Sequence, residues 1–415
     1  MRRVFYEFFA GGGMARAGLG PRWDCAFAND IDPVKTRAYA ENWGEAHLVV
    51  EDVQRLSVGQ LPGRADLAWA SFPCQDLSLA GNMRGMDEGT RSGVFWGFWR
   101  LMAGLAAEGR EPWVVVLENV VGWLRARDGA DFGRVCDLMA SHGYRMGALV
   151  LDASWFLPQS RPRVFLVAVH QDIEIPRWLT LPGPDEGWHG AGVVGAHAAL
   201  SSKARASWVW WRISRPIRTM TLEEIIEEEP EGVTWDDTAK TRHILGLMDA
   251  TNLAKMAAVQ ASGVRRVGAL YRRVRPNGVG GAKVQRAEVR FDGLAGCLRT
   301  PRGGSSRQAI MVVEGERIRS RLLSPREAAR LMGLPDSYRL PRRYNDAYHL
   351  AGDGVAVPVV RHLAERLIEP LLDGGPLAAE ADFLPTPGGP CRRFWTGRNG
   401  FGRTRAQACV ERARL

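Results

Sequence analysis

Through residues 1 to about 170, short apolar runs alternate with stretches of helical pattern, and this alternation constrains the fold more than any other feature. The runs fall at Arg3 to Phe8, Ala26 to Asp32, Val49 to Val50, Leu67 to Ala70, Trp113 to Val120 and Val164 to Val169. Helical patterns sit between them at Pro33 to Trp43 and Val94 to Ala107. Strands followed in turn by helices predict an α/β fold: a doubly wound, mostly parallel sheet with helices on both faces. In such a fold the rigid scaffold carries its chemistry on loops.

The ends of the runs hold distinctive residues. Phe8-Phe9-Ala10-Gly11-Gly12-Gly13 follows the first run, and glycines there let the backbone turn tightly and approach a ligand closely. Taken alone, the triplet is a simple turn. Asp30-Ile31-Asp32 ends the second run, and an acid about twenty residues past a glycine loop is the usual grip on a ribose hydroxyl. The loop does not fit a full G-x-G-x-x-G fingerprint, so a dinucleotide is not specifically indicated. Glu51-Asp52 ends the third run. Pro73-Cys74-Gln75 follows the fourth; a cysteine on such a turn is exposed and open to activation, whereas a lone cysteine after a strand is ordinarily an inert buried thiol. Glu118-Asn119-Val120 closes the fifth run, where a carboxylate by itself reads as a strand-end cap. Gln159-Ser160-Arg161-Pro162-Arg163 precedes the sixth.

Taken in order, these motifs resemble those of a DNA (cytosine-5)-methyltransferase of the bacterial and phage type. Arg321 to Pro335 is similar to that family's later helix motif and Ala351 to Val357 to its last, so the resemblance spans roughly residues 3 to 370. It implies a Rossmann-like class I methyltransferase domain with a smaller inserted target-recognition domain. It also implies S-adenosyl-L-methionine as methyl donor, S-adenosyl-L-homocysteine as product, double-stranded DNA as partner, and no metal. Carbon 5 of cytosine is a poor nucleophile. A thiolate adding at carbon 6 converts the ring to an enamine, and the resemblance assigns that thiolate to Cys74. Glu118 would protonate N3 and accept from the exocyclic amine. Arg161 and Arg163 would hold the base carbonyl and steady the charges, the second arginine lying nearer the base. Phe9, Gly11, Gly13, Asp30, Ile31, Asp52, Pro73, Asp353 and Val355 line up with the cofactor site. Gln75, Ser78 and Arg84 line up with DNA contacts, and Ser78 to Arg91 with a loop that closes over DNA. Two departures from the family pattern stand out: Met14 where another glycine is usual, and Asp353-Gly354 in the last motif. A carboxylate at 353 would either pair with the cofactor's ammonium or repel its carboxylate.

The domain reading places the first part of the catalytic and cofactor-binding domain at 1–204. The target-recognition domain follows at 205–315, the return to the catalytic domain at 316–373 in helical pattern, and a flexible basic Gly/Pro-rich tail at 374–415. Arg265, Arg272, Arg273 and Arg275, with Lys283, Arg286 and Arg290, are candidate DNA contacts in the recognition stretch. The acidic run at Glu223-Glu224 and Glu227 to Glu229 reads as a solvated helix face.

Composition agrees. The 415 residues carry a formal net charge of +9 with a pI of about 9.6, which suits a polyanionic partner. Six cysteines without C-x-x-C spacing argue for a reducing compartment, no disulfide framework and no zinc site. The first ten residues superficially resemble a signal peptide, but Glu7 and the glycine triplet read instead as a first strand and its loop. No apolar run approaches the roughly 18 residues of a membrane helix. A cytoplasmic monomer is expected, with a companion restriction endonuclease and the recognised DNA word left open. Three other readings compete. An RNA (tRNA) cytosine-5 methyltransferase would carry a late Cys-Phe-Thr signature, absent here. A non-catalytic DNA-binding protein on the same fold would have no use for Cys74, Glu118, Arg161 and Arg163 together. A nicotinamide oxidoreductase would leave Pro-Cys-Gln and Gln-Ser-Arg-Pro-Arg unexplained.

Overall fold

The computed structural model describes residues 2–73, 94–276, 282–299 and 307–374, and for Arg275 and Pro276 the backbone alone. Among these, seven strands form one sheet: β1 (Arg3–Phe8), β2 (Trp23–Asp30), β3 (Leu48–Val50), β4 (Leu67–Ala70), β5 (Val114–Val120), β6 (Tyr144–Asp152) and β7 (Pro162–His170). Their order is β3-β2-β1-β4-β5-β7-β6. The first five pair in parallel, and β7 runs antiparallel between β5 and β6. Strand order reverses between β1 and β4, the switch point at which open α/β sheets form a ligand crevice. Phe8 pairs with Ala70 there, so the glycine loop and the segment entering Pro73 leave the same edge side by side. Leu117 pairs with Ala70 and Val120 with Arg163, which brings the Glu118 and Arg163 motifs to that same edge.

Alternation along the strands divides the core in two. Leu67, Trp69, Val114, Val116, Phe165 and Val167 face one side, where they meet Met14 and Ala15 of α1 (Met14–Leu19) and the C-terminal helices. Ala68, Ala70, Val115, Leu117, Val164 and Leu166 face the other, against α3 (Phe95–Ala107) and α4 (Ala130–Ser141). This is the period of two expected of a strand buried on both faces. α2 (Pro33–Trp43) begins where the Asp32 side chain accepts from the amides of Val34 and Lys35, with Pro33 in the first turn. It ends at Gly44, whose φ is 80°.

After β7 the chain runs through β8 (Thr180–Leu181), α5 (Ala191–Ala198), α6 (Ser202–Ala206), β9 (Trp210–Trp211), α7 (Leu222–Ile225), α8 (Thr238–Gly246) and α9 (Ala250–Ala261). It then forms an antiparallel sheet of β10 (Arg266–Pro276), β11 (Lys283–Arg290), β12 (Ala309–Glu314) and β13 (Arg317–Leu322), ordered β11-β10-β12-β13. The helices α10 (Pro325–Arg330), α11 (Tyr344–Asp353), α12 (Val357–Leu363) and α13 (Glu369–Asp373) follow. Helical pattern expected from residue 316 therefore begins only at Pro325. Gly315, at φ 54°, sits in the two-residue turn between Glu314 and Arg317 and folds the chain into a hairpin instead.

The acidic run also departs from its expected role. α7 is a single turn, and the acids beyond it engage the second sheet and α10. Glu227 accepts from Ser324 Oγ at 2.8 Å, and Glu228 pairs with Arg265 at 2.5 Å and Arg319 at 2.9 Å. The expected tail from residue 375 onward and the expected closing loop, Ser78 to Arg91, lie outside the described residues.

Candidate active site

β5 and β7 position a carboxylate–guanidinium pair. Their antiparallel register sets Glu118 opposite Phe165, one pair from Asn119 and Val164, and turns the Glu118 and Arg163 side chains toward each other. Arg163 Nε lies 3.2 Å from Glu118 Oε1, with both side chains largely buried. In this pair the guanidinium fork holds the Glu118 oxygen in fixed geometry. Asn119, beside it, donates from Nδ2 to the Phe72 carbonyl at 3.2 Å. That bond fastens the end of β5 to the turn that enters Pro73. Cys74, Gln75, Ser78 and Arg84 lie outside the described residues. Pro73 is partly buried at the end of that turn.

Arg161 has a different setting from Arg163. It is 2 % exposed, and every contact ties separate segments together. Nη1 reaches Cys297 Sγ at 3.3 Å and the Leu298 carbonyl at 3.1 Å; Nη2 donates to the carbonyls of Gly352 and Gly354, each at 2.8 Å. Burial lowers the pKa of this guanidinium, and the neighbouring Arg163 lowers it further. Gln159, fully buried, supports the same junction by donating to the Leu331 carbonyl and accepting from the Leu298 amide.

The glycine loop forms the floor of a second group of residues. Phe9 and Gly11 take φ of 56° and 54°, and Gly13, the N-cap of α1, takes 75°. These left-handed conformations are why glycines fall here. Tyr338 and Trp43 both donate to the Gly12 carbonyl, at 2.7 and 3.1 Å, which fixes the loop from behind. Asp30, at the end of β2, accepts from the Gly11 and Asp32 amides, both at 2.8 Å. Burial pushes its carboxyl above the usual carboxylate range despite those bonds and the nearby Lys35. Ile31 stands 64 % exposed beside it, an apolar side chain facing open space. Asp52 caps the turn after β3 by accepting from the Gln54 amide at 3.0 Å. Asp353 Oδ2 pairs with Lys35 Nζ at 2.7 Å, and Val355 is buried. Beneath the loop, Glu7 is fully buried and its carboxyl is pushed up to about 8 by desolvation.

A loop bare of side chains, an acid at the end of β2, an exposed apolar residue next to it and a further polar group after β3 fit a nucleoside-bearing cofactor. The sequence reading named Asp353 but missed Lys35, Tyr338, Asn119 and Cys297. Asn119 was within a quoted motif; the others have no local signal, because their partners lie far along the chain.

The stretch 205–315, expected to serve target recognition, contains the antiparallel pair β10–β11. Arg272, Arg273 and Val274 of β10 are exposed, and Arg273 approaches Glu288 of β11 at 3.5 Å and stacks over Tyr271. Arg265 is held by Glu228. For Arg275 the backbone continues β10. Among the described residues there is no cluster of metal-ligating side chains, and no helix is long and apolar enough to cross a membrane.

Comparison with known proteins gives these positions a family context. The chain is 27 % identical over 372 residues to the Type II methyltransferase M.NlaX of Neisseria lactamica, covering 87 % of this chain and 95 % of that one. It is 26 % identical over 363 residues to the Type II methyltransferase M.HhaI of Haemophilus parahaemolyticus, covering 87 % and 92 %. The solved structure of the methyltransferase EhMeth of Entamoeba histolytica shares the fold, with a TM-score of 0.57 at 13 % identity over 90 % of this chain and 99 % of that one. The model of the C-5 cytosine-specific DNA methylases matches residues 4–369, and with the sheet, the loop and the paired side chains above, the chain belongs to that family of enzymes.

Proposed function

We propose that the protein transfers a methyl group to carbon 5 of a cytosine turned out of double-stranded DNA, through a covalent adduct of Cys74 with carbon 6. The observation that carries this reading is the Glu118–Arg163 pair at 3.2 Å, fastened through Asn119 to the turn that leads into Pro73-Cys74. The Cys74 thiolate attacks carbon 6, and the negative charge that enters the ring is relieved as Glu118 delivers a proton to N3. Arg163 orients Glu118 and donates to the base carbonyl, so that charge develops against a donor already in place. The proton on carbon 5 leaves after methylation, and the sulfur departs as the aromatic ring is restored. Phe9, Gly11, Gly13, Asp30, Ile31 and Asp52 would hold S-adenosyl-L-methionine, which supplies the electrophilic methyl group when bound. Asp30 takes the ribose hydroxyls and Ile31 covers the adenine face. Residues 205–315 serve target recognition in this reading, and Gln75, Ser78, Arg84, Arg272, Arg273 and Arg275 contact DNA. The enzyme works as a cytoplasmic monomer.

Bisulfite sequencing of DNA from cells that express the chain tests chemistry and target word together. DNA carrying 5-fluorocytosine should trap the wild-type protein in a complex that survives denaturation, because the fluorine cannot leave as a cation. Cys74→Ser should abolish transfer and trapping while DNA binding remains. Near-normal turnover by Cys74→Ser would overturn the assignment.

A further inference from the structure

We propose that Cys297 is a positioning residue for methyl transfer: its sulfur holds the Arg161 and Arg163 guanidinium groups and thereby couples the recognition stretch to the reacting base. This rests on the function proposed above. Cys297 is not in the Pro-Cys turn and belongs to the segment that follows the β10–β11 hairpin. That segment is stitched to the arginine motif along its length. The Ala295 amide donates to the Pro158 carbonyl at 2.8 Å, the Ser160 amide to the Ala295 carbonyl at 3.0 Å, and the Leu298 amide to Gln159 Oε1 at 3.3 Å. At the end of this seam Arg161 Nη1 sits 3.3 Å from Cys297 Sγ.

The charges nearest the sulfur are cationic. Arg161 approaches from just before β7, Arg163 from β7 and Arg299 from its own segment, with the Glu118 and Asp353 carboxylates beyond the first two, while α11 presents the neutral phenol of Tyr348. Burial pushes the Cys297 thiol up, but Arg161, Arg163 and Arg299 together outweigh it and hold the thiol below its ordinary value. The sulfur accepts from Arg161 Nη1 while its own S–H reaches the Leu298 carbonyl at 3.5 Å, and ionisation of the thiol would strengthen its bond to the guanidinium. Cys25 gives the contrast within the same protein: burial, with Glu7 nearby, pushes its thiol up to about 12. The consequence is mechanical as well as electrostatic. Arg163 also faces Glu118, so whatever fixes its guanidinium fixes the carboxylate that meets the base. Loss of the sulfur leaves Arg161 bonded to three carbonyls and removes from Arg163 a neighbour that acts beside Glu118 and the Pro162 carbonyl.

Two measurements on the full chain test this. The first is alkylation of the wild-type protein with iodoacetamide across a pH series, read site by site by peptide mass spectrometry. The Cys297 peptide should label half-maximally at a lower pH than a free cysteine, and far below Cys25. The second is the pH profile of kcat, with KM for cofactor, in Cys297→Ala and Cys297→Ser. Displacing a catalytic group by part of an ångström costs on the order of tenfold, so Cys297→Ala should lower kcat about tenfold with KM for cofactor unchanged. Cys297→Ser should recover part of that loss and remove the acid limb that the thiol contributes, since a hydroxyl does not ionise in this range. Labelling of Cys297 at an ordinary thiol pH overturns the proposal. So does a kcat profile in both variants that matches wild type, or a uniform loss with an unchanged profile, which marks a merely structural role. The labelling needs no turnover. A wild-type protein that fails to trap on 5-fluorocytosine would therefore refute the proposed reaction and leave the Cys297 result standing.

Discussion

Asp353 has its charge matched within the protein. The sequence presented it as a carboxylate facing the cofactor directly, with attraction to an ammonium and repulsion of a carboxylate as the alternatives. In the structure its partner is Lys35, 318 positions away in sequence, at 2.7 Å. Burial lowers the Lys35 pKa, yet Asp353, Asp30 and Asp32 around it raise it by more, so the ammonium is held charged. The pair links the start of α2 to the end of α11 across the glycine loop. In Asp353→Asn the lysine loses its closest acid and turns toward Asp30, where it competes with a ribose hydroxyl. Cofactor binding should weaken. Because Asp353 is about a third exposed, solvent screens the pair, and the coupling should be only about 0.5–1 kcal/mol. A calorimetric double-mutant cycle with Lys35→Met measures it. Strict additivity would mean that the pair has no part in the cofactor site.

Among the elements, the contact that joins the second sheet to the C-terminal helices is a buried ion pair. Arg321 of β13 makes a two-pronged contact with Glu327 of α10, at 2.6 and 2.7 Å, and both side chains are fully buried. Glu327 also accepts from the amides of Ser324 and Glu227, each at 2.7 Å, so one carboxylate caps α10 and receives the end of the acidic run. Glu327→Gln removes the charge and leaves Arg321 buried without a counter-ion, at a cost of about 3–5 kcal/mol. Urea unfolding should show a clearly lowered midpoint, and Arg321→Met with Glu327→Leu should regain much of the loss. A midpoint equal to wild type in Glu327→Gln would remove this pair from the account. None of this was visible in the sequence, where Arg321 and Glu327 were letters in a family motif. By contrast β1, β4 and α2 fall residue for residue where their patterns put them. Each is short, bounded by glycine, proline or an aspartate cap, and buried on faces that its own periodicity states. β6 escaped notice, because Tyr144–Asp152 follows α4 after a two-residue turn and carries a glycine at its centre. β13 escaped too, since Arg-Ile-Arg-Ser-Arg-Leu reads as polar until β12 supplies its partner.

For the molecule as a whole, the family motifs were legible because chemistry restricts their identity and order, whereas the wiring among them is long-range and was not. The same contrast decides how recognition can be transplanted. The hairpin β10–β11 packs through Leu270, Ala287 and Val289 on Ile244, Met248 and Met256 of the α8–α9 region and on Met311 and Val313 of β12, a small separate core. Val267, Ile310 and Val312 belong instead to the large core. β12 and β13 pair from Ala309–Leu322 to Glu314–Arg317, so a boundary at residue 315 separates partners. Exchange of residues 205–315 with a relative's region would also replace Ala295 to Leu298, which the arginine motif holds. That chimera should lose activity through misplaced arginines whatever DNA word it binds. Exchange of 238–290 alone keeps both of those seams and crosses only the backbone pairing of β10 with β12, which a donor strand can reproduce, so bisulfite sequencing should find the donor's word methylated. Point changes within the hairpin should then separate phosphate contacts from base readers. The former lower the salt slope by about one unit, and the latter cost roughly 1–3 kcal/mol at one base position. Arg273, exposed on β10 with its guanidinium placed by Tyr271 and Glu288, is the first position to change, and its alanine variant should relax the word at one base. An active 238–290 chimera that still methylates the original word would place recognition outside the hairpin and its supporting helices.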